Sequence, residues 1–95
     1  MEVLRPKEMD THPGDSLVRW ARRQLEIARD ILDNPGGGLL FATQTIGQVR
    51  AALSERDAER WDEVVAVLGR AEDAGVRREF DTARQLLGEA ATKLG

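Results

Sequence analysis

Two pairs of carboxylates stand four residues apart, Glu26 with Asp30 and Glu59 with Glu63, a spacing that brings two side chains together on one helix face. Paired carboxylates do acid–base chemistry when their surroundings push their proton affinities apart. Both pairs, however, lie among other charges, Arg22, Arg29 and Arg60 included, and surface ion pairing accounts for them. His12 is the single histidine, in the run Asp10-Thr11-His12-Pro13-Gly14-Asp15. One imidazole and two carboxylates in a turn are too few converging ligands for a metal, and the Glu-x-x-His repeat of di-metal helical bundles is absent. There is no cysteine, which removes disulfides, thiolate ligands and cysteine nucleophiles together. Gly36-Gly37-Gly38 could cradle a phosphate at a helix start, but Leu39-Leu40-Phe41 stands where a P-loop carries Lys and Ser or Thr. The residues therefore point to no catalytic, metal or cofactor site, and an enzyme is not expected.

Periodicity says much more. From Ser16 to Asn34, Leu17, Val18, Trp20, Ala21, Leu25, Ile27, Ala28, Ile31 and Leu32 fill about half of a helical wheel. Within that arc Val18, Ala21, Leu25, Ala28 and Leu32 alternate steps of three and four, the spacing by which one helix packs along another. Asp15 or Ser16 is the expected N-cap, and Asn34-Pro35-Gly36 ends the helix. An arc this wide predicts two neighbouring helices. Gln24 falls in its middle, where an amide without a partner would cost about 1–3 kcal/mol. It is expected to bond a neighbouring group, with a contact across a dimer axis as the alternative.

The second helix is expected over Leu39 to Leu53, with Leu39, Ala42, Ile46, Val49 and Leu53 on one face, widened by Phe41, Thr45 and Ala52. Arg50 is its only charge, so burial on most sides is predicted, either centrally in the bundle or at a subunit interface. Thr43, Gln44, Thr45 and Gln48 form an uncharged polar strip, expected to be semi-exposed, with an interface or a polar-lined pocket as the alternative. Ser54-Glu55-Arg56-Asp57 resembles a capping box that opens a third helix running to Ala74, with Ala58, Trp61, Val64, Val65, Leu68 and Ala71 inward. Gly75 is the predicted stop. A fourth helix then carries Val76, Phe80, Ala83, Leu87, Ala90 and Leu94 inward, and the short turn predicts a hairpin with the third.

The chain has 95 residues, 41% hydrophobic and 4% aromatic, which fits one domain whose core rests on aliphatic side chains and Ala. The net charge is -3, and the stretch from Ser54 to Ala74 is more acidic still, with seven acids against three bases. Asp15 to Asp33 is balanced, with four of each sign, so no single-sign field suited to nucleic acid emerges. Residues 1–14 hold no apolar run, which argues against a signal peptide or anchor there. No segment is apolar for long enough to span a bilayer.

Two local resemblances bear on function. Gly14-Asp15-Ser16-Leu17 looks like the nucleophile motif of GDSL esterases and the prosthetic-group serine motif of acyl carrier proteins, but the surrounding scaffold of each is absent. The stretch from Val64 to Glu79 resembles the recognition helix and wing entry of MarR-type winged-helix repressors, and Thr45 to Leu53 resembles the helix before it. This resemblance implies a helix-turn-helix DNA-binding regulator, using Arg19, Arg22, Arg23, Arg77 and Arg78 as its basic surface. A heptad-like helix follows Glu79 where that family has a β-hairpin wing, and Glu59, Asp62 and Glu63 would repel phosphates.

The fold expected is all-α: a four-helix antiparallel bundle-like domain over 15–95, preceded by a short extended N-terminal arm over 1–14 and dimerising through helices 1 and 2. The function expected is a non-catalytic protein-interaction or regulatory module, acting in the cytoplasm as a homodimer or as the small subunit of a complex. Its candidate interface or pocket residues are Trp20, Gln24, Leu25, Phe41, Gln44, Ile46 and Trp61. The alternatives are the DNA-binding regulator and a bundle holding a small molecule near Trp20, Gln24, Gln44 and Trp61.

Overall fold

The computed structural model describes residues 13–95. Four helices account for nearly all of them: α1 Pro13–Asp33, α2 Leu39–Asp57, α3 Asp62–Val76 and α4 Phe80–Leu94. No strand occurs among the described residues. The helix α1 packs against α2 and α4, α2 against α3, and α3 against α4. The four therefore close a ring around one core, and α1 has the two neighbours that its wide apolar arc requires.

The three-four stripes supply that core. Ala21, Leu25, Ala28 and Leu32 of α1 are buried, as are Ala42, Ile46, Val49 and Leu53 of α2 and Ala83, Leu87, Ala90 and Leu94 of α4. The third helix adds Val64, Val67, Leu68, Ala71 and Ala74, with Trp61 tucked in just before its start. Each fully buried leucine contributes about 1.5–3 kcal/mol, and the intervening alanines let the helices approach.

The helix boundaries correct several expectations. Most of the arm expected over 1–14, His12 included, lies outside the described residues, but Pro13 and Gly14 are helical. Asp15 and Ser16 thus lie inside the first turn of α1 and not at the position before it. Proline suits this opening position because its missing N–H would have no helical partner there. The second helix does not end at Leu53. Nothing in Ser54-Glu55-Arg56 breaks a helix, so α2 continues to Asp57. Asp57 then caps the reversal and not a helix: its carboxylate accepts the Arg60 N–H at 3.1 Å. Ala58, expected inward, is exposed in that reversal.

Gly75 is not the stop of α3 either. It is buried inside the last turn, where a Cβ would sit 3.5 Å from Thr43 Cγ2 and 3.9 Å from Leu39 Cδ1. The left-handed position falls to Arg78, with φ 63°. The Glu79 N–H bonds Ala74 O at 2.9 Å and the Arg78 N–H bonds Gly75 O at 3.0 Å, the paired bonds of a Schellman motif. Val76 accordingly ends α3, 68% exposed, and not on the inward face of α4. The glycine-rich bend behaves as expected. Gly36 has φ 50°, the Gly38 N–H bonds Pro35 O at 2.6 Å, and a Cβ on Gly38 would come within 2.9 Å of Ile31 Cγ2.

Candidate interaction surface

The carboxylate pairs are surface groups. Glu26, Asp30, Glu59 and Glu63 are all exposed, and three of the ion pairs among the described residues run between helices, with one along α4. Lys93 reaches Glu63 at 3.4 Å, and Arg84 reaches Asp33 at 2.6 Å and also pairs with Asp81. Arg50, the lone charge expected on α2, pairs with Glu72 of α3 at 2.7 Å. Among the described residues no group of His, Asp or Glu is clustered to hold a metal ion. No described helix is long and apolar enough to cross a membrane.

The hollows of the surface are shallow and mixed in charge. One between α1 and α4 is bordered by Glu26, Arg29, Asp30, Asp33 and Arg84. Another between α3 and α4 is bordered by Arg70, Asp73, Arg77 and Glu79. Opposite charges alternate in both, so neither concentrates a field on an ionic ligand. A third runs along α1 and is bordered by Arg19, Trp20, Arg22, Arg23 and Glu26, three bases against one acid.

The sequence-derived site residues separate into two sets. Leu25, Ile46 and Trp61 are core residues, with the Arg60 guanidinium lying over the Trp61 ring at 4.5 Å. They hold the fold and are not available at the surface. Trp20, Phe41 and Gln44 are exposed, and Gln24 is half-buried. Gln24 therefore stands at the margin of the apolar arc of α1 and not in a dry interior, so its amide escapes the burial cost that called for a partner.

The second helix is not central in the bundle. It is buried on two sides, by α1 and α3, while its third side faces solvent. Leu40 is 68% and Phe41 58% exposed, and Gln44, Gln48 and Ala51 are exposed with them. At 100° per residue these five side chains fall within about 100° of one another. None carries a charge. The threonines of the polar strip turn inward or sideways and bond their own helix: Thr45 Oγ1 donates to Phe41 O at 2.9 Å, and Thr43 Oγ1 to Leu40 O at 3.0 Å.

This uncharged face extends onto α1. Arg22 donates to Ala91 O, Arg29 lies over Gly88, and Asp33 meets Arg84, so that flank of α1 faces α4. The opposite flank carries Trp20, Gln24, Ile27 and Ile31 within about 60° of arc, and Ile31 packs at Gly38 where α2 begins. Trp20 and Ile27 are each 38% exposed. Four of the five large apolar side chains exposed among the described residues thus lie on α1 and α2. Sequence reasoning found Trp20, Phe41 and Gln44, placed Gln48 in the uncharged strip, and missed Leu40, Ala51 and Ile27 as interface candidates. The available signal was the absence of charge on one whole side of a helix in a chain with 33% charged residues.

The segment from Val64 to Glu79 that resembles a winged-helix reader folds as most of α3 and the reversal after it, and α4 follows, so a helix occupies the wing's place. No family model, curated protein or solved structure matches the chain.

Proposed function

We propose that the chain is a non-catalytic helical interaction module that binds protein through the uncharged face of α2 and the adjoining flank of α1, as a homodimer or as the small subunit of a complex. The observation carrying this reading is the exposed run Leu40, Phe41, Gln44, Gln48 and Ala51, free of charge in a chain otherwise covered with it. Fully buried interface cores are depleted in charged residues and enriched in aromatics, and Phe41 and Trp20 are the two large side chains to anchor such a core. The bundle behind the face is read as antiparallel. Arg22 in the middle of α1 meets Ala91 near the end of α4, Asp33 at the end of α1 meets Arg84 nearer the start of α4, and Glu63 at the start of α3 meets Lys93 at the end of α4. A chain without cysteine suits a reducing compartment such as the cytoplasm.

The test is capture with the tagged chain, comparing the wild type with Phe41→Glu after circular dichroism shows equal helicity. A protein retained by the wild type, whether an untagged copy of the chain or another polypeptide, should be released by Phe41→Glu. If nothing retained depends on Phe41, the reading fails.

A further inference from the structure

Resting on that reading, we infer that the occupant of the face is a second copy of this chain, with the two α2 helices packed antiparallel about a two-fold axis at Gln48. A two-fold axis sets each nearby group against its own copy, so a charge close to it is repelled by itself. The stripe Leu40, Gln44, Gln48 and Ala51 carries none. Gln48, on the axis, has both a donor and an acceptor in its amide and can bond its own copy.

Residues equally far from the axis then face each other, and their sizes match. Gln44 of one copy falls opposite Ala52 of the other, with Ala51 beside it, long against short. Farther out the match is electrostatic. The second helix starts at Gly38 with no side-chain cap and no acid in its first turn, so first-turn N–H groups remain without helical partners. Seven residues beyond the axis stands Glu55, exposed on the same stripe, and seven residues before it stands Phe41. Antiparallel pairing therefore sets each Glu55 carboxylate beside the open N-terminus of the other α2, where the helix dipole favours an anion. The two Glu55 side chains are then about 21 Å apart along the pair, beyond the ~8–10 Å screening length, so they do not oppose each other. Trp20 adds to the centre of this surface. With Ile31 at Gly38 and the two helices side by side, it lies about level with Gln48.

The native chain has no cysteine, so single-cysteine variants report the register directly. The purified chain should show twice its 10.5 kDa mass by light scattering and dissociate only on dilution. Gln48→Cys should give a disulfide-linked dimer under mild oxidation. Gln44→Cys should not, because its copy lies about 12 Å away along the pair, beyond the Cα separations that a disulfide spans. Glu55→Lys, at an exposed position, should raise the dimer dissociation constant about tenfold, from two lost helix-terminus contacts. Equal cross-linking at both positions would mean a parallel pair and overturn the inference. So would a monomer at every concentration. A monomer that still captures a different protein in a Phe41-dependent way overturns self-pairing and leaves the interaction reading standing. A monomer with no Phe41-dependent partner ends both.

Discussion

The hairpin of α1 and α2 and the hairpin of α3 and α4 bury the same kind of stripe, but α2 turns an uncharged side outward while α1, with Arg23, Glu26 and Asp30 exposed, is as charged outside as the other half. In α1 and α4, one helix of each hairpin, leucines alternate with alanines at three-four spacing and are buried. Outside, α3 and α4 carry Asp62, Glu63, Arg70, Asp73 and Glu89, all exposed, while the outer side of α2 is uncharged from Leu40 to Ala51. The fold needs only the inner stripes. The difference outside is therefore not a requirement of the bundle, which makes it the best guide to function.

The largest expected effect tests the shared part. Leu25→Ala in α1 and Leu87→Ala in α4 each remove a fully buried side chain from one core, so each should cost about 2–5 kcal/mol in chemical denaturation. Leu40→Ala, at an exposed position, should cost under about 0.5 kcal/mol. If Leu40→Ala destabilised the isolated chain as much as Leu25→Ala, the outer face of α2 would belong to the fold and the contrast would be lost.

The next effect separates the exteriors. Gln48→Glu places a charge beside its own copy at the axis and should weaken self-association at least about tenfold, equivalent to about 1.4 kcal/mol. Ala66→Glu, exposed on α3, should leave association unchanged in the same sedimentation series. Weakening by both variants to the same degree would reduce the difference to net charge alone.

The two hairpins also turn differently, and here the sequence misled in an instructive way. A glycine after a periodic run reads as a stop, which is right for Gly36 and wrong for Gly75. Left-handed backbone and close helix approach both select glycine, and spacing alone does not distinguish them. Ser54 misled similarly, because serine is as acceptable in an exposed last turn as at a cap. The inner stripes of α1 and α4 were legible, since burial imposes a period on the residue types themselves. The interface candidates were legible only in part. Leu25, Ile46 and Trp61 are as apolar as any interface residue, and only the packing of α2 and α3 around them shows that they are used up inside. The turns make a pair of opposite expectations. Gly38→Ala should destabilise by about 1–3 kcal/mol through overpacking against Ile31, whereas Arg78→Gly should stabilise by about 1 kcal/mol by relieving a side chain held at positive φ. Thermal denaturation of both variants would show the midpoints moving in opposite directions.

The smallest effect concerns the charges of the α3–α4 half. Lys93 and Glu63 pair at 3.4 Å, but the Glu63 side chain is 81% exposed, and such pairs contribute about 0–1 kcal/mol because water and salt screen them while two long side chains lose freedom. Lys93→Met keeps most of the aliphatic stem that lies along the helix surface and removes only the charge. Its denaturation midpoint should move by less than about 0.5 kcal/mol, and the small difference from wild type should vanish in high salt. A salt-insensitive loss above about 1 kcal/mol would mean that the ion pairs outside α3 and α4 hold the bundle closed. The charged exterior would then have a structural reason, and the uncharged exterior of α2 could no longer be read as the departure that marks function.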